Sequence, residues 1–136
     1  MTAAVILIAI VLLICAGIWL HHLFEGEWLP DDLWREWKLS RTTLESLDRA
    51  WSAAADRSDI VVSLTTIPSR MEVIDETLKG LIDQSRRPAR IVLNVPRFSR
   101  REQVPYVVPE RLLRLASVEI RECEDWGPAT KIIPSL

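Results

Sequence analysis

The chain has 136 residues, which leaves room for one domain at most once its apolar N-terminal run is set aside. Its formal net charge of −2 excludes a strong whole-chain attraction to nucleic acid or to anionic lipid. The two cysteines, Cys15 and Cys123, lie in segments of different character and lack metal-site spacing. The sequence therefore predicts neither a disulfide nor a zinc site.

The first element is a run of uncharged, almost wholly apolar residues, 3–20. At ~1.5 Å of helix per residue this run approaches the ~30 Å hydrocarbon core of a bilayer, and Leu23 and Phe24 extend it. A cleaved signal peptide is the alternative. Its apolar region is usually only about 7–15 residues long and follows a Lys or Arg, which is missing here. The sequence therefore predicts a single-pass transmembrane anchor over residues 1–24.

Charges beside the anchor predict its orientation. Arg35 and Lys38 follow it, whereas nothing basic precedes it apart from the amino terminus. Because cytoplasmic flanks carry the excess of Lys and Arg, this asymmetry favours a cytoplasmic position for the soluble part. A lumenal position in a eukaryotic cell is the alternative.

Tryptophans mark the region at and after the end of the anchor: Trp19, Trp28, Trp34 and Trp37. They predict either an aromatic belt with a juxtamembrane helix or a packing stripe on an ordinary helix. Pro30 followed by Asp31 and Asp32 predicts the start of that helix, because proline suits the first turn and carboxylates favour its positive end.

A second helix is predicted from Thr42, whose spacing to Glu45 is that of a capping box. Its apolar positions recur at intervals of three and four residues: Leu44, Leu47 and Trp51. Residues 25–57 are therefore predicted to form a helical stem. This stem either holds a globular part away from the bilayer or packs against that globular part as an early helix.

Strands and helices alternate in the second half of the chain. The β-branched run at residues 60–62 predicts a strand that is buried on both faces and ends at Pro68. Ser69 and Glu72 have the spacing of a capping box, which predicts a helix that begins there and ends near Ser85.

Two further strands are predicted. Residues 91–95 form the second, which Pro96 ends, and apolar and charged residues alternate over 118–121 in the third, leaving one of its faces less buried. Pro109, at a first-turn position, predicts a short helix between them. Residues 58–136 are therefore predicted to form a partial, mostly parallel three-layer α/β sheet. Because three such strands bury little surface, we expect this to be the first part of a larger domain.

Three loops follow the predicted strands: residues 65–70, 96–106 and 122–131. Ligands of open α/β sheets bind outside the carboxyl ends of the strands, so these loops predict a binding site. Arg70 and Lys131 each lie near the start of a helix that follows a strand. A cation there, beside free backbone N–H groups, would complement a diphosphate. The alternative is that both cations lie in water at the rim.

The last of these loops has further features of a nucleotide site. Asp125 offers a hydrogen-bond acceptor, Trp126 an aromatic plane, and Gly127 with Pro128 a sharp turn. Together they could hold a nucleobase by hydrogen bonding and stacking. A plain turn with a packed tryptophan is the alternative.

The chain contains VVSLTTIPSR over residues 61–70, IVLNVP over residues 91–96 and DWGPATK over residues 125–131. Together these segments resemble the N-terminal part of family-2-like nucleotide-sugar glycosyltransferases, which have the GT-A fold. The resemblance implies that residues 58–136 form an incomplete GT-A or Rossmann-like domain. In such enzymes the loop of the first strand and the segment after the third strand hold the donor nucleotide. The resemblance thus implies these nucleotide-binding residues: Thr65, Pro68, Arg70, Asp125, Gly127 and Lys131.

The resemblance also implies a divalent cation, Mn²⁺ or Mg²⁺, held by an Asp-x-Asp motif in the full-length enzyme. No such motif follows Lys131, and we expect no metal on the short acidic loop that precedes it. The resemblance therefore implies the N-terminal, donor-nucleotide-binding part of a membrane-anchored glycosyltransferase. Its partners would be a nucleotide sugar and the membrane. Alone, this part would bind no metal, because the Asp-x-Asp motif is absent, and it would be inactive, because the acceptor side is absent as well.

A second function belongs to a different class of protein. Arginines crowd one short region: Arg86, Arg87, Arg90, Arg97, Arg100 and Arg101. In a non-catalytic, membrane-tethered interaction module this cluster would bind an acidic partner, lipid headgroups or RNA. The cluster alone is a weak nucleic-acid signal, and we expect no nucleic-acid partner.

Overall fold

The computed structural model describes residues 3–25 and 29–135, and the chain forms two compact units, Met1–Arg41 and Thr42–Leu136. In the first unit, helix α1 covers Ala3–Glu25. Its segment Ala3–Phe24 has a mean hydropathy of 3.0 and none of it is buried. By length and composition α1 can therefore cross a bilayer, a test that a signal sequence also passes.

Helix α2 covers Leu29–Ser40 and begins, as predicted, with Pro30 and two aspartates in its first turn. The rings of Trp34 and Trp37 stack with centroids 4.9 Å apart, and no residue of α2 is buried. Of the other two tryptophans in this region, Trp19 is exposed on α1 and Trp28 lies outside the described residues.

The second unit is built on a three-stranded parallel sheet. Strand β1 covers Val61–Thr65, β2 covers Arg90–Pro96 and β3 covers Val118–Cys123, in the order β1-β2-β3. In β2 every residue from Ile91 to Pro96 is buried, as expected for a central parallel strand. The predicted mixed fold with a parallel sheet is thus confirmed.

The prediction that β1 is buried on both faces is wrong. β1 is an edge strand paired with β2, and Val61 remains 45% exposed. The strand also ends at Thr65 rather than at Pro68. A β-branched run predicts a strand, but the place of that strand in the sheet depends on pairings that lie far away in sequence.

Two short helices begin one residue away from their predicted starts. Helix α3 covers Leu44–Ala53 and is capped by Thr43, whose hydroxyl accepts the Ser46 N–H at 3.3 Å, and not by Thr42. Helix α5 covers Glu110–Leu113, with Pro109 at the cap position rather than inside the first turn.

The capping box predicted for Ser69 and Glu72 is also wrong. The chain forms a 3₁₀ helix over Pro68–Val73, and helix α4 follows over Ile74–Ile82. Ser69 and Glu72 instead bond to side chains that lie more than thirty residues away in sequence. Long-range partners have therefore replaced the local cap.

The core of this unit is formed by side chains of α4, α5 and β2. Leu78, Ile82, Leu112, Ile91 and Leu93 are each at most 1% exposed. Leu78 and Ile82 lie one turn apart on α4, so they belong to the same buried face of that helix.

Within this second unit, which we call the sheet unit, two buried side chains of helix α3 bond to the segments that precede β3 and β2. The carboxylate of Asp48, 9% exposed, accepts the N–H groups of Ala116 at 3.1 Å and Ser117 at 2.7 Å, just before β3. The indole N–H of Trp51 donates to the carbonyl of Pro88 at 3.1 Å, just before β2. α3 therefore fixes the amino-terminal ends of two neighbouring strands.

The Asp48 contact predicts a stability effect. We expect Asp48→Ala to lower the free energy of unfolding by about 1–3 kcal/mol, because it leaves the buried N–H group of Ser117 without an acceptor. Arg49→Ala, an exposed change on the same helix, should stay within about 0.5 kcal/mol. Urea denaturation of the full chain in detergent, followed by near-ultraviolet circular dichroism, measures both. Equal effects of the two variants would contradict this role of Asp48.

Candidate functional site

A cavity of about 300 Å³ lies at the carboxyl ends of the strands. Each of the three loops that follow the strands contributes to its lining, as the sequence predicts. The lining residues are Thr65, Thr66, Ile67, Arg70, Ser99, Arg101, Tyr106, Asp125, Gly127, Pro128 and Thr130. We call this space the strand-end cavity.

The strand-end cavity brings together part of the predicted nucleotide-binding set. Thr65, Arg70, Asp125 and Gly127 line it, whereas Pro68 and Lys131 do not. Besides Arg70, the cation that lines the cavity is Arg101, which the sequence analysis assigned only to the arginine cluster.

Helix type explains the position of Lys131. In an α-helix, residues four apart share a face, which would place Lys131 on the same side as Gly127. The chain instead forms a 3₁₀ helix over Gly127–Lys131, in which residues three apart align. Thr130, 1% exposed, therefore lines the cavity with Gly127, while Lys131 is exposed.

Hydrogen bonds at the ends of β1 and β2 fix one wall of the cavity. The Thr65 hydroxyl donates to the carbonyl of Asn94 at 3.0 Å. The amide of Asn94, which is fully buried, donates to the Ser63 hydroxyl at 2.8 Å. Ser63 in turn donates to the Lys131 carbonyl at 2.6 Å. The third loop is thereby bonded to β1.

Glu102 joins the second loop to the first. Its carboxylate accepts the Ser69 N–H at 2.9 Å and the Ser69 hydroxyl at 2.6 Å. These bonds favour the ionised form and hold the pKa of Glu102 below its ordinary value. Glu102 therefore holds its loop beside Arg70.

Asp125 joins the third loop to the second. One carboxylate oxygen accepts the Gly127 N–H and the other accepts the Arg100 N–H, each at 2.7 Å. Each oxygen of an ionised carboxylate has two acceptor positions. Asp125 can therefore hold both loops and still accept a further hydrogen bond from a ligand.

Tyr106 contributes a neutral donor to the same region. Its hydroxyl donates to the carbonyl of Thr66 at 2.9 Å. Burial raises the pKa of this hydroxyl, and the nearby Asp125 carboxylate acts in the same direction. The group therefore stays protonated near neutral pH and bonds the first loop to the second.

Sequence reasoning missed four residues of this region: Ser99, Arg101, Glu102 and Tyr106. They lie in or next to a tight turn in which Ser99 accepts the Gln103 N–H and donates its own N–H to Val104. Gln103 has a φ of 58°, which is uncommon for a residue other than glycine. The proline-punctuated polar composition predicts a loop here, but it does not predict which side chains turn inward.

The cavity combines hydrogen-bonding groups with two exposed guanidinium groups, those of Arg70 and Arg101. Guanidinium groups match phosphate oxygens by paired hydrogen bonds. The volume lies at the lower end of the range for small-molecule sites. The arrangement is suited to a small anion that also carries hydrogen-bond donors.

Comparison with known proteins adds no family to this description. No family model, curated protein or solved structure matches the chain. A function for the strand-end cavity therefore has to be argued from its own geometry.

The turn at Gly127 predicts a contrast between two glycines. Gly127 has a φ of 59°, whereas Gly80 lies inside α4, and a Cβ at either position would meet nothing within 4 Å. Gly127→Ala should lower the free energy of unfolding by about 1–2 kcal/mol through backbone strain. Gly80→Ala should raise it by about 0.5–1 kcal/mol. Denaturation of the two variants side by side tests the left-handed conformation of Gly127. Effects of the same sign on the free energy of unfolding would contradict it.

The Glu102 bridge predicts a titration. We expect Ser69→Ala to raise the pKa of Glu102 toward its ordinary value, measured by carbon-13 NMR of the carboxyl group. Because the folded pKa lies below the unfolded one, the bridge stabilises fully above the ordinary pKa and is lost as the pH falls through the lowered pKa. Ser52→Ala, on α3, is the control and should leave Glu102 unchanged. An unaltered Glu102 pKa in Ser69→Ala would show that the bridge does not form.

Proposed function

We propose that the strand-end cavity binds the nucleotide of a nucleotide-sugar donor, and that the chain is the N-terminal part of a membrane-anchored glycosyltransferase with an incomplete GT-A or Rossmann-like domain. The observation that carries this proposal is the convergence of three loops, with Arg70 and Arg101, at the carboxyl ends of parallel strands. Nucleotides bind at this edge in open α/β sheets generally.

A diphosphate accounts for the cationic part of the cavity. Arg70 and Arg101 lie in the first and second loops, and both line the strand-end cavity. A diphosphate held between them would receive charge-assisted hydrogen bonds from both loops. A neutral sugar alone would not use two cations.

A nucleobase accounts for the remaining polar groups. Asp125 keeps acceptor capacity that would suit a ring N–H, and the hydroxyl of Thr65 lies in the same lining. The plane of Trp126, 49% exposed, is not part of that lining. Hydrogen bonding rather than stacking on this indole is therefore the proposed basis for holding the base.

The divalent cation that the resemblance implies finds no fitting site in the described part of the chain. Among residues 3–25 and 29–135, no three side chains of His, Cys, Asp or Glu come together in a way that would hold a metal ion. Asp125 and Glu102, the carboxylates nearest to the arginines, already accept backbone N–H groups.

In the proposed reaction an acceptor hydroxyl attacks the anomeric carbon of the sugar, its proton passes to water, and the nucleoside diphosphate leaves. The leaving group gains negative charge as the glycosidic bond to phosphate breaks. Arg70 and Arg101 would stabilise that charge where it develops, which is the usual role of cations fixed in an active site. The proposed contribution of this chain is thus to bind the donor and stabilise the leaving group.

A cytoplasmic position is proposed for the unit that carries the cavity. Arg35 and Lys38 follow α1, and basic residues favour the cytoplasmic side. Nucleotide sugars made in the cytosol would then reach the cavity directly.

Calorimetry with uridine diphosphate tests the donor site. We expect Arg70→Ala and Arg101→Ala each to weaken binding by the full chain in detergent about tenfold, because each removes a charge-assisted hydrogen bond of about 1.5 kcal/mol. Lys131→Ala should have a smaller effect than either, because Lys131 lies outside the lining.

Arg114→Ala is the matched control, since Arg114 pairs with Glu110 on the exposed surface of α5. It should leave binding unchanged. A folded full chain that binds no uridine diphosphate would overturn the proposed function. Equal losses in the Arg114 and Arg101 variants would show that general charge, and not the cavity, attracts the nucleotide.

A further inference from the structure

Helix α2 carries an apolar face whose role does not depend on nucleotide binding. We propose that α2 lies flat in the headgroup region of the membrane that α1 crosses, with one apolar face turned toward the acyl chains. The occupant of this face is the lipid surface, rather than the sheet unit or a second copy of the chain.

The sequence of α2 divides sharply around the helix. At 100° per residue, Leu29, Leu33, Trp34 and Trp37 fall within an arc of about 140°. Apart from Leu39, which is half-buried, the rest of the circumference is charged: Asp31, Asp32, Arg35, Glu36 and Lys38. An apolar face of this width is typical of a helix that covers an apolar surface along its whole length.

That face is open in the described structure. Leu33 is 56% exposed, Trp34 61% and Trp37 47%. The two stacked indoles form a single aromatic surface with Leu33 nearby on the helix. Large side chains grouped in this way rarely face water in a soluble protein unless the patch has a binding role.

The short connection between α1 and α2 places α2 at the membrane surface. Only four peptide steps separate Glu25, the last residue of α1, from Leu29, the first of α2. Fully extended, they span at most about 14 Å. The headgroup region on each side of the hydrocarbon core is about 5–8 Å thick. A helix that begins so close to the end of a membrane span starts within or just beyond the headgroups.

The residue types favour the interface over a protein partner. Tryptophan is enriched at headgroup level because its ring is apolar while its N–H can reach water. The guanidinium of Arg41 lies 4.6 Å from the centroid of the Trp37 ring. A long cationic side chain placed over an interfacial ring can keep its charge in the headgroups while its stem covers apolar surface.

Charge count predicts how this contact depends on lipid composition. From Leu29 to Arg41 the three acidic residues balance the three basic ones. Attraction to anionic lipid is therefore weak, and apolar burial must carry the binding. The depth of α2 should be the same in zwitterionic vesicles and in vesicles that contain anionic lipid.

Spin labelling of the full chain tests the proposal. In a background of Cys15→Ala and Cys123→Ser, single cysteines are introduced by Leu33→Cys on the apolar face and Glu36→Cys on the opposite face. Leu12→Cys in α1 is the insertion control. Each nitroxide-labelled chain is placed in vesicles of phosphatidylcholine, with or without phosphatidylglycerol, and accessibility to oxygen and to a water-soluble nickel chelate is measured.

We expect the label at position 33 to lie about 5–10 Å below the headgroup boundary, and the label at position 36 to be open to the nickel chelate, in both kinds of vesicle. Trp34→Ser with Trp37→Ser should move the label at position 33 outward, whereas the matched change Arg35→Ser with Asp32→Ser should not. No residue of α2 is buried, so these variants leave the sheet unit folded.

Three results would overturn the proposal. A label at position 33 that both reagents fail to reach would show a protein contact, with the sheet unit or with a second copy. A label at position 33 open to the nickel chelate would show that α2 is solvated. A label at position 12 outside the lipid would show that α1 does not cross the membrane, and the interfacial position of α2 would then be wrong as well. The calorimetric test of the cavity would be unaffected.

Discussion

The second unit depends on carboxylates that accept backbone N–H groups across long stretches of sequence. Asp48 binds the two amides that precede β3, Glu102 binds the amide and hydroxyl of Ser69, and Asp125 binds amides of two loops. The Ser117 N–H is buried and needs such an acceptor, whereas the bonds to Ser69, Arg100 and Gly127 lie at the surface and join loops. With short helices and only three strands, this unit obtains much of its loop structure from these three side chains.

These bonds also shape the charge of the strand-end cavity. Glu102 and Asp125 bind loop amides, while the guanidinium groups of Arg70 and Arg101 remain exposed at the cavity. A chain with a net charge of −2 can in this way present a cationic site. The overall charge therefore says little about what the cavity attracts, and the hydrogen bonds of the individual carboxylates say more.

The sequence predicted those features that depend on local periodicity. The alternation of strands and helices, the strand at residues 91–95 and the meeting of three loops at one edge all follow from apolar patterns and from parallel pairing. The central, buried position of that strand was not predicted. The caps assigned to Thr42 and Ser69 were wrong. A capping box is a local pattern, and the partner of Ser69 lies thirty-three residues away in sequence. Likewise, a polar loop composition could not show that Arg101, and not Lys131, lines the cavity.

The type of helix after each strand decides which cations reach the cavity. After β1 and after β3 the chain forms 3₁₀ helices, Pro68–Val73 and Gly127–Lys131, in place of the α-helical starts that were predicted. At the start of the first of these helices the Arg70 N–H donates to the Ile67 carbonyl at 3.0 Å, and both residues line the cavity. In the second, three-residue periodicity leaves Lys131 outside.

These short 3₁₀ helices also change the source of attraction for an anion. A helix macrodipole is the sum of many aligned peptide units, so segments of five or six residues supply only a small part of it. The field at the strand-end cavity must then come mainly from the two guanidinium groups. Such a field is screened by salt where the groups are exposed. Firm binding of a diphosphate at this edge therefore requires that the rest of the ligand, its base and ribose, fill the cavity and exclude water from the arginines.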